Sequence, residues 1–172
     1  MARSLGHGPL TDRLKAAGHS VEAFDLPGLG DDHIPASEVT LDACAARLCE
    51  VLADSSEPAV VVGNSMCGSC TEDVAAWAIA RQRPQPLAPF ATPVSIPPGA
   101  LDGISRYYVL CTRDRAIPPA LQRRMIAENA CVDVVALDTD HTPHLSMTDE
   151  LAKALHRFAT HSFRPAGRHT TS

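Results

Sequence analysis

Three side chains of the chain have the types that nucleophilic catalysis needs, and they occur in the order Ser65, Asp114, His141. A serine hydroxyl is a poor nucleophile until a histidine accepts its proton, and the histidine needs a carboxylate that fixes its tautomer. Each of the three follows an apolar run that predicts a β-strand. Because the carboxyl ends of parallel strands lie along one edge of a sheet, we expect these side chains to meet there.

The stretch PAVVVGNSMCGSC around Ser65 has two interpretations. Its segment GNSMC differs only in the last position from the G-x-S-x-G turn that presents a nucleophilic serine. Its end, Cys67-Gly68-Ser69-Cys70, has the C-x-x-C spacing of a thiol redox pair, which also occupies strand-to-helix turns. The serine interpretation is preferred, because it alone explains the acid and the histidine that follow later in the chain.

The acid of this set also has two interpretations. Asp114 precedes the helix predicted near Pro118, so its carboxylate could cap that helix instead of supporting a histidine. Asp140 lies directly before His141 and is an alternative acid, although neighbouring side chains usually point apart. The position of Asp114 directly after a strand favours it as the catalytic acid.

Composition limits the class of protein. The chain has 172 residues, of which 45% are hydrophobic, 20% charged and 4% aromatic, with a net charge of −5. This charge and the few aromatics argue against nucleic-acid binding. No apolar run is long enough to span a membrane, and the first residues lack the apolar core of a signal peptide, so we expect a cytoplasmic protein. There the six cysteines are expected to be buried thiols, and their spacing predicts no metal site.

Helices and strands alternate along the sequence, which predicts a mostly parallel sheet flanked by helices. The proline-rich residues 84–99 are expected to be irregular. We expect one domain over residues 1–163 and a disordered tail over 164–172. The predicted strands are 20–24, 59–62, 107–111 and 132–137, and the predicted helices are 10–17, one capped by Thr40, 72–81, 118–128 and one capped by Thr148.

Four stretches resemble the methylesterase and hydroxynitrile-lyase-like branch of the α/β-hydrolase family, which includes salicylate methylesterases. They are AAGHSVEAFDLPGLG, VVVGNSMCG, YYVLCTRDRAIPPALQRRM and LDTDHTPHLS, and the resemblance covers most of residues 10–160. It implies an α/β-hydrolase-like sheet. It makes Ser65 the nucleophile, Asp114 the acid and His141 the base, with the backbone N–H of Met66 as an oxyanion donor. Members of this branch mostly hydrolyse small esters without a metal or organic cofactor, and some cleave cyanohydrins.

The chain also departs from that family's pattern. Cys67 stands where the pattern has glycine, and we expect strain of about 1 kcal/mol or more there. The family's first strand, aligned on AAGH, would lie upstream of Met1, and the separation of Ser65 from Asp114 is too short for the usual strand and helical cap. We therefore expect a reduced number of strands and little or no cap. Unpaired strand edges would favour a homodimer.

The sequence therefore predicts a serine hydrolase of small carboxylic esters that works through an acyl-enzyme and needs no cofactor. An alternative is a catalytically impaired or inactive relative that serves as a binding or interaction module. A thiol redox protein that uses Cys67 and Cys70 is a third, less favoured hypothesis.

Overall fold

The computed structural model describes residues 8–30, 32–64 and 86–163. Within these ranges the chain forms helices before and after a pair of neighbouring parallel strands. In chain order the elements are α1 (Gly8–Ala16), α2 (Leu41–Ala53), α3 (Ala88–Ala91), β1 (Tyr107–Cys111), α4 (Pro119–Glu128), β2 (Asp133–Leu137), α5 (Pro143–Ser146) and α6 (Thr148–Ser162).

Strands β1 and β2 pair in parallel, with Tyr107 opposite Asp133 and Cys111 opposite Leu137. Helix α4 makes the crossover that parallel strands require. Its first turn contains proline, which is tolerated there because the first N–H groups of a helix have no partner within it. Both strands, this helix and their order agree with the sequence-based prediction.

The hydrophobic core lies between the sheet, α1 and α6. Helix α6 buries one face, on which Leu151, Leu155 and Phe158 recur at helical spacing. They pack with Leu10 of α1 and Leu137 of β2. The Phe158 ring also stacks on that of Tyr107, with 4.8 Å between their centroids. This core holds the β1–β2 pair against the final helix, as the spacing of its apolar residues predicts.

The two predicted helix caps differ in outcome. Thr40 caps α2 as predicted, and its Oγ1 accepts a hydrogen bond of 3.1 Å from the backbone N–H of Ala43. Thr148 does not cap α6, contrary to the prediction, because the helix already begins there and Met147 holds the cap position. The Thr148 hydroxyl instead donates to the carbonyl of His144 at 2.8 Å.

Two predicted strands are wrong. Residues 20–24 and 59–62 form no regular secondary structure and pair with no strand within the described ranges. Val61 and Val62, expected to be buried on both faces, are 56% and 54% exposed. A β-branched run forms a strand only where a neighbouring strand satisfies its backbone groups, and sequence pattern does not supply that neighbour.

Other expectations have mixed outcomes. The proline-rich stretch contains one short helix, α3, which begins with a proline in its first turn. Among the described cysteines, which are all free thiols, Cys44 and Cys111 are buried as expected, whereas Cys49 is exposed. No helix in the described ranges has the length and hydropathy to cross a membrane. The predicted helix 72–81 and the tail 164–172 lie outside the described residues.

Candidate active site

Asp114 and His141 are positioned by hydrogen bonds that continue the strand ladder beyond β1 and β2. The N–H of Thr112 donates to the carbonyl of Leu137, and the N–H of Arg113 donates to that of Thr139, both at 2.9 Å. The loops that leave the two strands therefore stay side by side. They carry the two side chains to the same edge of the sheet, as their positions at strand ends predict.

The two side chains form a buried hydrogen-bonded pair. Nδ1 of His141 lies 2.7 Å from Oδ2 of Asp114. The His141 side chain is 7% exposed and that of Asp114 is 4% exposed. A short contact between an imidazole and a carboxylate in such an environment fixes the orientation of the ring.

The second oxygen of Asp114 organises the loop that leads to α4. Oδ1 accepts hydrogen bonds from the N–H groups of Ala116 and Ile117, at 2.8 and 2.9 Å. The two interpretations of Asp114 are thus compatible, because one oxygen orders the turn before α4 while the other contacts His141. Burial acts against ionisation of this carboxyl. The hydrogen bonds from His141, Ile117 and Ala116 outweigh it and hold the pKa of Asp114 below its ordinary value.

Because the carboxyl of Asp114 is an acceptor, Nδ1 of His141 carries the proton and Nε2 presents a lone pair. Nε2 is buried and has no hydrogen-bond partner in the described part of the chain. A buried acceptor without a partner is unfavourable by about 1–3 kcal/mol, and it is often explained by a catalytic role. The free lone pair is what a general base needs.

Asp140, the alternative acid, is directed elsewhere. Its Oδ1 accepts from the N–H and the hydroxyl of Thr142, both at 2.9 Å. It also contacts the hydroxyl of Ser146 in α5 at 3.4 Å. These contacts order the turn that follows His141, and Asp114 makes the hydrogen bond to the ring.

The segment that leads to Ser65 reaches the same edge. Asn64 directly precedes Ser65, and its Nδ2 lies 2.9 Å from Nδ1 of His144 in α5. Because an amide N–H donates, this nitrogen of His144 accepts. The described segment that ends at Asn64 therefore contacts the short helix that follows His141. Ser65, Met66, Cys67 and Cys70 themselves lie outside the described residues.

One residue of the site was missed by sequence reasoning. Gln122 of α4 is 2% exposed, and its side-chain amide hydrogen-bonds to Asp114 and to the end of β1. The apolar pattern of α4 is misleading here, because Leu121 and Met125 are 44% and 39% exposed while the glutamine is buried. A glutamine in the first half of a crossover helix, close after the acid, was the available signal.

The described residues near this pair form no metal site. No group of three or more histidine, cysteine, aspartate or glutamate side chains is arranged to hold a metal ion among the residues that the structure describes. The arrangement of Asp114 and His141 is the kind that accepts and returns a proton.

Comparisons with known proteins identify the family to which the chain is similar. A model of the alpha/beta hydrolase family matches residues 68–154. A pyrethroid hydrolase of Sphingobium wenxiniae is 41% identical over 76 residues, which are 44% of this chain and 27% of that protein. The alpha/beta hydrolase nvfD of Aspergillus novofumigatus is 30% identical over 99 residues, which are 57% of this chain and 39% of that protein. The matched segments thus span well under half of either relative.

Solved structures extend the likeness to most of the fold. A pyrethroid hydrolase from Sphingobium faniae superimposes with a TM-score of 0.72 and 21% identity, covering 93% of this chain and 94% of that one. The methylesterase MES16 from Arabidopsis gives a TM-score of 0.74 and 18% identity, covering 91% of this chain and 95% of that one. At such identities the likeness concerns the fold.

Proposed function

The chain belongs to the alpha/beta hydrolase family, and we propose that it is a serine hydrolase of small carboxylic esters with Ser65, His141 and Asp114 as its triad. One observation carries the proposal. Nδ1 of His141 is bound to a buried carboxylate, while its Nε2 is buried and without a partner among the described residues. A histidine in this state is ready to take a proton from a serine.

The reaction has two halves. In the first, Oγ of Ser65 attacks the ester carbonyl while Nε2 of His141 takes the hydroxyl proton. The oxyanion of the tetrahedral intermediate is stabilised by backbone N–H donors, for which we assign Met66. When this intermediate collapses, the C–O bond to the alcohol breaks and His141 returns the proton to the departing oxygen. The product of this half is an acyl-enzyme on Ser65 and a free alcohol.

The second half uses water. His141 takes a proton from water as the oxygen attacks the acyl carbon, and it then returns the proton to Oγ of Ser65. The carboxylic acid leaves and the enzyme is restored. Throughout, Asp114 stays ionised and stabilises the imidazolium that forms in each half, which its lowered pKa supports.

The substrate class is supported by the relatives. One is named a pyrethroid hydrolase and a structural neighbour is named a methylesterase. We assign a small-molecule ester as the partner of the site, and neither a nucleic acid nor a membrane. The methylesterase-like branch is the part of the family whose motifs the sequence resembles.

A second candidate function is favoured by the surface of the Val60–Val62 run. These side chains are 39%, 56% and 54% exposed, and the described ranges contain one pair of strands. An impaired relative that acts as an interaction module, with a homodimer as its simplest form, would cover such a surface. Sedimentation of the full chain over a range of concentrations tests this; a monomer at every concentration would exclude the homodimer.

Hydrolysis of p-nitrophenyl acetate tests the first proposal. Ser65→Ala should lower kcat by about 10³-fold or more. Ser69→Ala, which removes the other serine of the same stretch, serves as the matched control and should retain activity. Labelling by a fluorophosphonate should map to Ser65 by mass spectrometry. Equal rates for wild type and Ser65→Ala would refute the triad, and a folded wild type that neither hydrolyses nor labels would favour the interaction module.

A further inference from the structure

We propose that Gln122 is a positioning residue of this site, which holds the carboxylate of Asp114 against His141 and thereby sets the basicity of His141 Nε2. The inference deepens the proposed function and rests on it. It is carried by four hydrogen-bond contacts of one buried amide, which connect β1, the loop after it and the acid. The two N–H groups of Nε2 face three oxygens, so one N–H is shared between two acceptors.

The amide of Gln122 has only one workable orientation. Its Oε1 accepts from the backbone N–H of Cys111 at 3.0 Å. Its Nε2 lies 3.1 Å from the carbonyl oxygen of Cys111 and 2.7 Å from that of Ile117. A flipped amide would set N–H against N–H and oxygen against oxygen at all of these contacts, so the NH₂ group must face the oxygens.

The same NH₂ group reaches the acid. Nε2 of Gln122 lies 3.2 Å from Oδ2 of Asp114, the oxygen that also contacts His141. The other oxygen, Oδ1, receives two backbone N–H groups, from Ala116 and Ile117. Each carboxylate oxygen therefore has two donors, which fill the acceptor capacity of the group and prevent its rotation.

Removal of Gln122 would change the acid in two ways. Oδ2 would lose a donor, so the carboxylate would be less stabilised and would bind the Nδ1–H of His141 more strongly. It would also be free to turn about its bond to Cβ, so the ring would lose its fixed direction. The first effect moves the acid limb, which is the part of the kcat/KM profile that rises with pH, to higher pH. The second effect lowers kcat.

The test compares two variants of Gln122 with a matched control. Gln122→Met has a similar size and no donor, and Gln122→Glu has the same shape with a charge in place of the amide. Leu121→Glu adds the same charge at the neighbouring exposed position. Both Gln122 variants should move the acid limb up by about half a pH unit or more and lower kcat about tenfold or more, with KM within about twofold. Leu121→Glu should do neither.

A merely structural role predicts a different result. If kcat falls only in proportion to the folded fraction, with the acid limb where wild type has it, the proposal is overturned. Circular dichroism at each pH gives the folded fraction.

A second measurement needs neither a variant nor ester hydrolysis. In the NMR spectrum of the wild-type chain, the side-chain N–H resonances of Gln122 should shift as the His141 ring titrates, because both groups bind Oδ2 of Asp114. Control resonances come from the side-chain amide of Asn129, which donates to a carbonyl of its own helix. A Gln122 signal that does not follow the ring would overturn the proposal, whether or not the chain hydrolyses esters.

Discussion

Asp114→Asn is the sharpest perturbation of the proposed triad, because it keeps the shape of the side chain and removes its charge. The amide oxygen can keep the N–H groups of Ala116 and Ile117 only if its NH₂ group faces His141. That nitrogen then donates to Nδ1 of the ring, so the ring proton moves to Nε2. The histidine can no longer accept a proton from Ser65.

The expected magnitudes follow from this geometry. In serine proteases the loss of the correct tautomer lowers kcat about 10⁴-fold, which corresponds to about 5 kcal/mol of barrier. The folded state also loses the charge-assisted bond from His141 and places two NH₂ groups, those of the new amide and Gln122, against each other. We expect a loss of about 2–4 kcal/mol in the free energy of unfolding at neutral pH.

The stability difference should depend on pH in a defined direction. The pKa of Asp114 in the folded state lies below its ordinary value of 3.8. Its stabilising contribution is therefore complete above that value and is lost as the pH falls through the lowered pKa. The asparagine variant has no such contribution, so the difference between the two proteins should shrink below about pH 4.

The assays are ester hydrolysis and urea unfolding, with Asp140→Asn as the matched control. Asp140 is next to His141 and carries the same charge, but its Oδ1 binds Thr142. The control should keep kcat within about tenfold of wild type, since its contact is to the turn and not to the ring. The reasoning is refuted if Asp114→Asn stays within tenfold of wild type, or if both variants lose activity equally.

Three further predictions concern the surroundings of the site. Asn64→Ala should lower kcat about tenfold, because it removes the contact between the segment before Ser65 and α5. The control Asn129→Ala should keep the wild-type kcat. Equal kcat values for wild type and Asn64→Ala would show that the contact has no role in catalysis. Phe158 is 3% exposed, and Phe158→Ala should lower the free energy of unfolding, measured in urea, by about 3–5 kcal/mol. Phe163 is 50% exposed, and Phe163→Ala should lower it by less than about 1 kcal/mol. Similar losses for the two variants would contradict the placement of Phe158 in the core. Burial, followed by nearby carboxylates, raises the pKa of Cys111 from 9.0 to about 11. The free energy of unfolding of wild type should therefore fall between pH 9 and pH 11, and that of Cys111→Ala should fall less. An equal fall in both proteins would refute this prediction.

The fold class was predictable because its strongest signals are local. The alternation of helices and strands indicates an α/β sheet, and the family comparison and the solved structures confirm the alpha/beta hydrolase fold. Strands β1 and β2 and the face of α6 followed directly from apolar spacing. Residues 20–24 and 59–62 have the same kind of pattern, yet they are unpaired in the described ranges. Pairing depends on a partner elsewhere in the chain, which a local pattern cannot reveal.

The part of the site that directly follows paired strands was also predictable from the sequence. Asp114 and His141 follow paired strands directly, so their meeting could be inferred from strand ends alone. The role of Gln122 could not be inferred, because it depends on which face of α4 packs against β1. The apolar residues of that helix suggest that a different face is buried. The roles of Ser65 and Met66, the domain limits and the redox alternative stay predictions, since the residues concerned lie outside the described ranges or no observation tests them.

The hydrogen bonds of Thr112 and Arg113 to the carbonyls of Leu137 and Thr139 limit where related sequences can gain or lose residues. They fix the backbone path from each strand to Asp114 or His141, so an inserted residue in either path would separate the acid from the base. The connection between Gln122 and β2 lies outside these paths. Added or deleted turns there would leave the pair intact. We therefore expect related chains to vary in length in the second half of α4 and to keep constant spacing from Cys111 to Gln122 and from Leu137 to His141.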